Sequence, residues 1–154
     1  KRNTEKCFSF LFSRIIETRF KMKFLDRFLR DWCIKMTKPY AIVNDKVLDI
    51  GCFDATLFEK LSAKPIANSL GLDPLLKTII ETEDYTLLPK KFPEDLPKEK
   101  SFNCLMMLAV LEHIRKEEQG QLSDDISNYL EPQERVIIKV PSPFVDYIYG
   151  YYLS

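Results

Sequence analysis

Three residues are spaced as a nucleoside-binding turn requires. Asp49 and Gly51 close the run Val47-Leu-Asp-Ile-Gly51, and Asp73 stands 22 residues after Gly51, at the end of Ser69-Leu-Gly-Leu-Asp73. An acid at the tip of a second strand can accept hydrogen bonds from both hydroxyls of a ribose, and dinucleotide folds place one about twenty residues beyond the glycine turn. A pyrophosphate also needs the close backbone approach of G-x-G-x-x-G, whose three positions here are Gly51, Phe53 and Thr56. One of three survives, which disfavours NAD and FAD and leaves a nucleoside without phosphates. Simpler roles stand beside these: Asp49 could cap the next helix or satisfy turn amides, and Asp73-Pro74 alone would be a turn. His113, the single histidine, could act as a base on a hydroxyl or amine, or be an ordinary polar start to a helix.

The elements that must position these residues follow from hydrophobic period. Lys46–Ile50 is a short β-type run ending at Gly51, Thr56–Ala63 is a helix with Leu57, Phe58 and Leu61 inward, and Ser69–Asp73 is a second strand. Strand, helix and strand within about thirty residues make a right-handed βαβ unit with a parallel sheet. A third strand is expected in Tyr85–Leu88. Phe102–Leu108 is a continuous apolar run suited to a central strand covered on both faces, and Arg135–Val140 is another buried strand, stopped by Pro141 and Pro143. An amphipathic helix, Arg115 to Tyr129, lies between them, with Leu122, Ile126 and Leu130 inward and Gly120 as its weak point. The alternation predicts an α/β domain with helices on both faces of a mostly parallel sheet. Ligands then belong at the carboxyl ends of the strands: Gly51 to Asp54, Asp73-Pro74, the loop around Phe92, and Ala109 to His113.

The 154 residues suffice for one domain with a real core. Hydrophobic residues at 45% and charged residues at 30% exclude a disordered tail or a collagen-like fibre. Four glycines, where average usage gives roughly eleven, leave little material for glycine-rich triphosphate loops. The four cysteines form no C-x-x-C pair and read as reduced thiols, which points to a cytoplasmic setting. One histidine and scattered cysteines supply no soft metal site, carboxylate Mg²⁺ sites stay open, and no G-x-S-x-G elbow marks a hydrolase. No run of 18 apolar residues and no small-residue cleavage pattern suggest a span or a secretory signal. The chain opens at Lys1 without methionine and stops inside an aromatic segment, so residues are expected to be missing at both ends.

The even balance of 23 basic and 23 acidic residues hides an asymmetry, because residues 1–38 carry 11 Lys/Arg against 4 Asp/Glu. Residues 1–38 are expected as a basic helical segment and 39–154 as the sheet domain. Phe8, Leu11, Phe12, Ile15 and Ile16 keep one helical face; Phe24, Leu25, Phe28, Leu29, Trp32, Cys33 and Met36 form a second stripe, ending before Lys38-Pro39. Three readings remain: a lid packed on the domain, a helix on an anionic membrane surface, and a nucleic-acid contact, the last disfavoured. Phe144, Tyr147, Tyr149, Tyr151 and Tyr152 are expected to face the core rather than line a pocket.

Taken in order, Val47-Leu-Asp-Ile-Gly51, Gly71-Leu-Asp73, Leu108-Ala-Val-Leu-Glu-His-Ile114 and Arg135-Val-Ile-Ile-Lys-Val-Pro141 resemble the successive motifs of class I S-adenosylmethionine-dependent methyltransferases, over about residues 44–143. The nearest likeness is to small methyltransferases with a Leu-Glu-His-Ile segment after strand four. The resemblance implies a Rossmann-like, doubly wound sheet with the five visible strands in the order 3-2-1-4-5, and two further strands after residue 143. It implies S-adenosylmethionine as cofactor and S-adenosylhomocysteine as product. Asp49 and Gly51, with Cys52 and Phe53, would shape the loop under the methionine portion; Asp73 would bind the ribose hydroxyls, and Pro74 would lie beside the adenine. The backbone at Phe92 would flank the adenine, Ala109 would sit near the sulfonium, and His113 is the candidate catalytic base. The acceptor would be a small or lipid-like molecule bound between the sheet edge and the N-terminal helices. In the family the turn usually reads Gly-x-Gly-x-Gly, whereas Phe53 and Ala55 stand at its second and third glycines, and Lys91 replaces a frequent acid. Phenylalanine there would either crowd the methionine tail or force the backbone from the φ/ψ that glycine tolerates. These departures motivate the alternative of a degenerate, non-catalytic methyltransferase-like scaffold.

Overall fold

The computed structural model describes residues 23–61, 68–94, 96 and 101–140. The stripe from Phe8 to Ile16, the prolines 141 and 143 and the aromatic segment from Phe144 lie outside the described residues. Helix α1 covers Lys23–Thr37, and Lys38–Tyr40 forms a single 3-10 turn. Strand β1 is Val47–Ile50, α2 is Thr56–Lys60, β2 is Ser69–Leu72, β3 is Ile80–Glu81 and β4 is Tyr85–Leu88. Strand β5 is Phe102–Leu108, a 3-10 turn spans Leu111–His113, α3 is Lys116–Ser127 and β6 is Leu130–Lys139.

These strands form one sheet in the order β3-β4-β2-β1-β5-β6. The five expected strands thus stand in the expected order, all parallel, with Leu48 level with Leu70 on one side and Leu105 on the other. The unexpected member is β3, which runs antiparallel to β4 as the outer arm of a tight turn. Thr82 closes that turn: its hydroxyl donates to the Tyr85 carbonyl and accepts from the Tyr85 amide. A two-residue strand leaves no periodicity for a sequence to display.

Residue alternation splits the core by face. Leu48, Ile50, Leu70, Leu72, Leu105 and Met107 pack with Ile126 of α3 and with Phe92 and Tyr129. Val47, Leu87, Cys104 and Met106 pack with Ile34 of α1 and with Leu57, Phe58 and Leu61 at α2. Apolar side chains on both faces explain why β5 reads as an apolar run. Full burial of a Leu or Met contributes about 1.5–3 kcal/mol each, so this double layer dominates stability.

Two expectations need correcting. Strand β6 begins at Leu130, five residues before Arg135, and Leu130 pairs with Phe102 instead of ending the preceding helix. A register shift between Phe102 and Cys104, with Gln133 at φ 70°, makes a bulge that absorbs Pro132 and hides the strand's period. The second correction concerns α1. Its apolar stripe is split: Phe28, Trp32 and Met36 are 59%, 49% and 44% exposed, Leu29 and Cys33 are half-buried, and Ile34 and Thr37 are buried. The helix is turned by its polar contacts. Arg30 and Asp31 pair with Asp54 and Lys60, and the buried Thr37 hydroxyl donates to the Cys33 carbonyl within the same helix.

Candidate functional site

From β1 the chain passes through α2 to β2 on one side, and β5 lies on the other, so strand order reverses between β1 and β5. Their carboxyl ends are where such a sheet opens a ligand crevice. The backbone there is unusual. Gly51 has φ +79°, Phe53 φ +57° and Ala109 φ +58°. Left-handed non-glycine residues cost about 1–3 kcal/mol and gather at ligand sites. Gly51 is also fixed by space, since a Cβ there would fall 2.4 Å from Cγ2 of Val110, the residue after Ala109. The turn after β1 therefore abuts the turn after β5. Phe53 holds a left-handed conformation of the kind glycine tolerates, and its ring stands 45% exposed.

Asp73, 6% exposed, ties the two left-hand strands together at this end. Its Oδ2 accepts from the Phe53 amide at 2.9 Å and its Oδ1 from the Leu75 amide at 2.8 Å. Each carboxylate oxygen keeps a second acceptor position. Pro74 beside it is exposed. Asp49 is 3% exposed, and burial first, then the charges of Asp73 and Asp54, push its carboxyl up to about 8. Asp73 and Asp54 thus lie close enough to oppose ionisation of the buried Asp49 carboxyl. Cys52 turns its thiol into the core, where burial raises it far above its ordinary value, and leaves its amide to bond the Leu72 carbonyl.

Other expected residues sit differently. The Phe92 ring is committed to the core, 5.4 Å from Tyr129 in an edge arrangement. A hollow of about 500 Å³ beside it, lined by Pro93, Glu94, Leu96, Asp125, Asn128 and Tyr129, flanks the amino end of β6 and contains none of the other expected residues. Lys91 pairs with Glu94 at 3.2 Å. His113 is half-exposed in the 3-10 turn after β5, its Nε2 4.0 Å from Glu112. The structure brings together Asp49, Gly51, Cys52, Phe53, Asp73 and Ala109; His113 follows four residues after Ala109 on the same loop.

Arg30, which the sequence did not single out, and Asp54, the last residue of the expected turn, complete this edge. Arg30 on α1 donates from Nη1 to Asp54 Oδ2 at 2.6 Å, and its guanidinium carbon lies 6.0 Å from the Phe53 ring centre. Asp54 Oδ1 accepts the Thr56 amide at the start of α2. Lys60 reaches Asp31 of α1 at 2.6 Å and holds that carboxyl below its usual range. Farther along, Lys139 at the end of β6 lies 5.6 Å from the Trp32 ring. Helix α1 is therefore fastened to the carboxyl ends of both β1 and β6. Among the described residues no group of three or more His, Cys, Asp or Glu could hold a metal.

No family model and no curated protein matches the sequence. The structure is similar to that of the plantazolicin methyltransferase BpumL in complex with a monoazolic desmethylPZN analogue and SAH, at 15% identity and a TM-score of 0.55 over 89% of this chain and 53% of that one. A second BpumL complex, with a pentazolic desmethylPZN analogue and SAH, gives 15% identity and a TM-score of 0.53 over 97% and 62%. The chain has the fold of these methyltransferases. It spans little more than half their length. This methyltransferase-type fold is the Rossmann-like, mostly parallel α/β sheet expected from the motifs.

Proposed function

We propose that the chain binds S-adenosylmethionine at the carboxyl ends of β1, β2 and β5 and transfers its methyl group to a small-molecule or lipid-like acceptor. The observation that carries this reading is the pair of buried carboxyls, Asp49 and Asp73, beside the left-handed turn at Gly51 and Phe53. Burial first, and then the neighbouring carboxylates of Asp73 and Asp54, raise the Asp49 carboxyl, and a crevice bearing these acids attracts a cation and repels a pyrophosphate. A sulfonium nucleoside suits it; a dinucleotide does not. BpumL, crystallised with SAH, has the same fold, which supports the reading further.

The residues fit such a ligand. Asp73 keeps acceptor positions for ribose hydroxyls, with Pro74 exposed beside it for the adenine and the backbone near Phe92 on the other flank. The turn of Asp49, Gly51, Cys52 and Phe53 would hold the amino-acid portion, and Ala109 would face the sulfur. When bound, the cofactor supplies an electrophilic methyl group whose leaving group is a neutral thioether. The protein's task is then alignment of the acceptor's lone pair with the methyl–sulfur bond, and positioning supplies most of the acceleration. His113 on the β5 loop is the candidate to take the acceptor's proton. Cys33, Cys52 and Cys104 as free thiols agree with a cytoplasmic setting. The outward ridge of Phe28, Trp32 and Met36 favours a second role for α1 in peripheral membrane contact, which sedimentation with anionic vesicles tests.

Calorimetric titration of the full-length protein with S-adenosylmethionine, S-adenosylhomocysteine and NADH tests the proposal. Both sulfur nucleosides should bind at about micromolar to submillimolar levels, the usual range for enzyme ligands, and NADH should not. Absence of binding by both would overturn the cofactor assignment in favour of the degenerate scaffold. Binding of NADH alone would favour an oxidoreductase.

A further inference from the structure

Arg30 is the one described cation that α1 delivers to the Phe53 turn, and its bonding is incomplete. Nη1 engages Asp54, yet Nε is buried with no hydrogen-bond partner among the described residues. A guanidinium is built to hold a carboxylate through two parallel bonds, and a buried donor left unmet costs about 1–3 kcal/mol. The contact with Asp54 is thus a single-point hold by a group suited to a double one. Asp54 does not depend on Arg30 either, because its Oδ1 already accepts the Thr56 amide. The two partners can separate without leaving Asp54 unbonded.

We propose that Arg30 is an exchangeable carboxylate receptor: Asp54 holds it while the turn is empty, and the α-carboxylate of an amino-acid-bearing nucleoside displaces Asp54 when that ligand binds. This rests on the cofactor reading above and adds a selection rule to it. The site would then distinguish nucleosides that carry an amino acid from those that do not, and α1 would register occupancy of the turn. Asp54 acts as the resident stand-in for the ligand's carboxylate. The exposed Phe53 ring, beside the guanidinium, forms the wall along which the exchange takes place.

Two probes separate this inference from the reading beneath it. S-adenosylhomocysteine carries the amino acid; 5′-methylthioadenosine keeps the adenosine and the thioether and lacks it. In the full-length protein, Arg30→Met should weaken S-adenosylhomocysteine about 10- to 100-fold, the range for loss of charged hydrogen bonds, and leave methylthioadenosine within about twofold. Arg30→Lys, which keeps the charge and a single contact, should fall between wild type and Arg30→Met. Asp54→Asn, which keeps Oδ1 for Thr56 and removes the competing charge, should tighten S-adenosylhomocysteine and leave methylthioadenosine unchanged. Equal weakening of both probes by Arg30→Met would show that Arg30 only packs the helix, and no weakening of either would show that it is not at the site; each overturns the exchange. Failure of both probes to bind the wild type would overturn the cofactor reading, and the inference with it.

Discussion

The two ends of the sheet are built on different principles. At the amino end every buried polar group named here has a partner of matching character. Asp45 accepts the Ile42 amide and pairs with Arg135 of β6, Ser69 accepts the Val47 amide at 3.0 Å, and Asn103 accepts the Lys46 amide while donating to Glu131 and Glu134. At the carboxyl end Asp49 and Asp73 are both buried, and no cation offsets the upward shift of Asp49. The amino end pairs its charges across strands; the carboxyl end keeps a buried carboxyl whose neighbours oppose its ionisation. The same β1 and β5 run between them, so the difference is local chemistry and not fold.

Removing one carboxylate from each end is the sharpest way to break that contrast. Asp73→Ala should cost about 1.5–3 kcal/mol of S-adenosylhomocysteine affinity, by loss of charged hydrogen bonds and of the anchor on the Phe53 amide. Asp45→Ala removes the ion pair of Arg135 and the acceptor of the Ile42 amide and should cost about 1–3 kcal/mol of stability in chemical denaturation, with binding unchanged. Equal loss of binding in the two variants would erase the distinction between the ends.

The next effect is a pH dependence. Because the folded carboxyl of Asp49 is raised to about 8, the native state holds a proton that the unfolded chain releases near the ordinary value of about 4. Its contribution is full at low pH, is lost as pH rises through this window, and levels off above the folded value. Asp49→Asn should flatten that slope in denaturation curves between pH 4 and 8. A cationic ligand favours the ionised form, so wild-type affinity for S-adenosylmethionine should rise with pH to about 8. Smaller still are two glycine substitutions. Phe53→Gly removes a side chain from left-handed backbone and should stabilise by about 0.5–1 kcal/mol net of glycine's entropy. Gly120→Ala, in α3 where an added Cβ meets nothing within 4 Å, should stabilise by about 0.5–1 kcal/mol and leave binding untouched.

Much of this was legible because period and burial coincide. Phe102–Leu108 is β5 residue for residue, and Leu57, Phe58 and Leu61 are buried as their spacing requires. Asp49, Gly51 and Asp73 were readable because strand ends are local and the βαβ unit fixes their meeting. The bulged start of β6 was not, since Glu-Pro-Gln-Glu breaks the alternation that signals a strand. Nor was the rotation of α1. Hydropathy groups Phe28, Trp32 and Met36 with Leu29 and Cys33 on one stripe, whereas ion pairs to Asp54 and Lys60, 24 and 29 positions along the chain, decide which part of it turns outward. Contacts at such separations leave no local pattern, which is also why the Arg30–Asp54 pair has no signature in the sequence.

The central claim, that the carboxyl end of β1, β2 and β5 is the ligand site, is tested most directly by amide chemical-shift mapping of the full-length protein titrated with S-adenosylhomocysteine. Perturbations should concentrate at Gly51–Asp54, Asp73–Leu75 and Leu108–His113 and spare Lys46, Asn103 and Arg135. Perturbations centred on the hollow between Pro93 and Tyr129, or on the amino end of the sheet, would contradict the account.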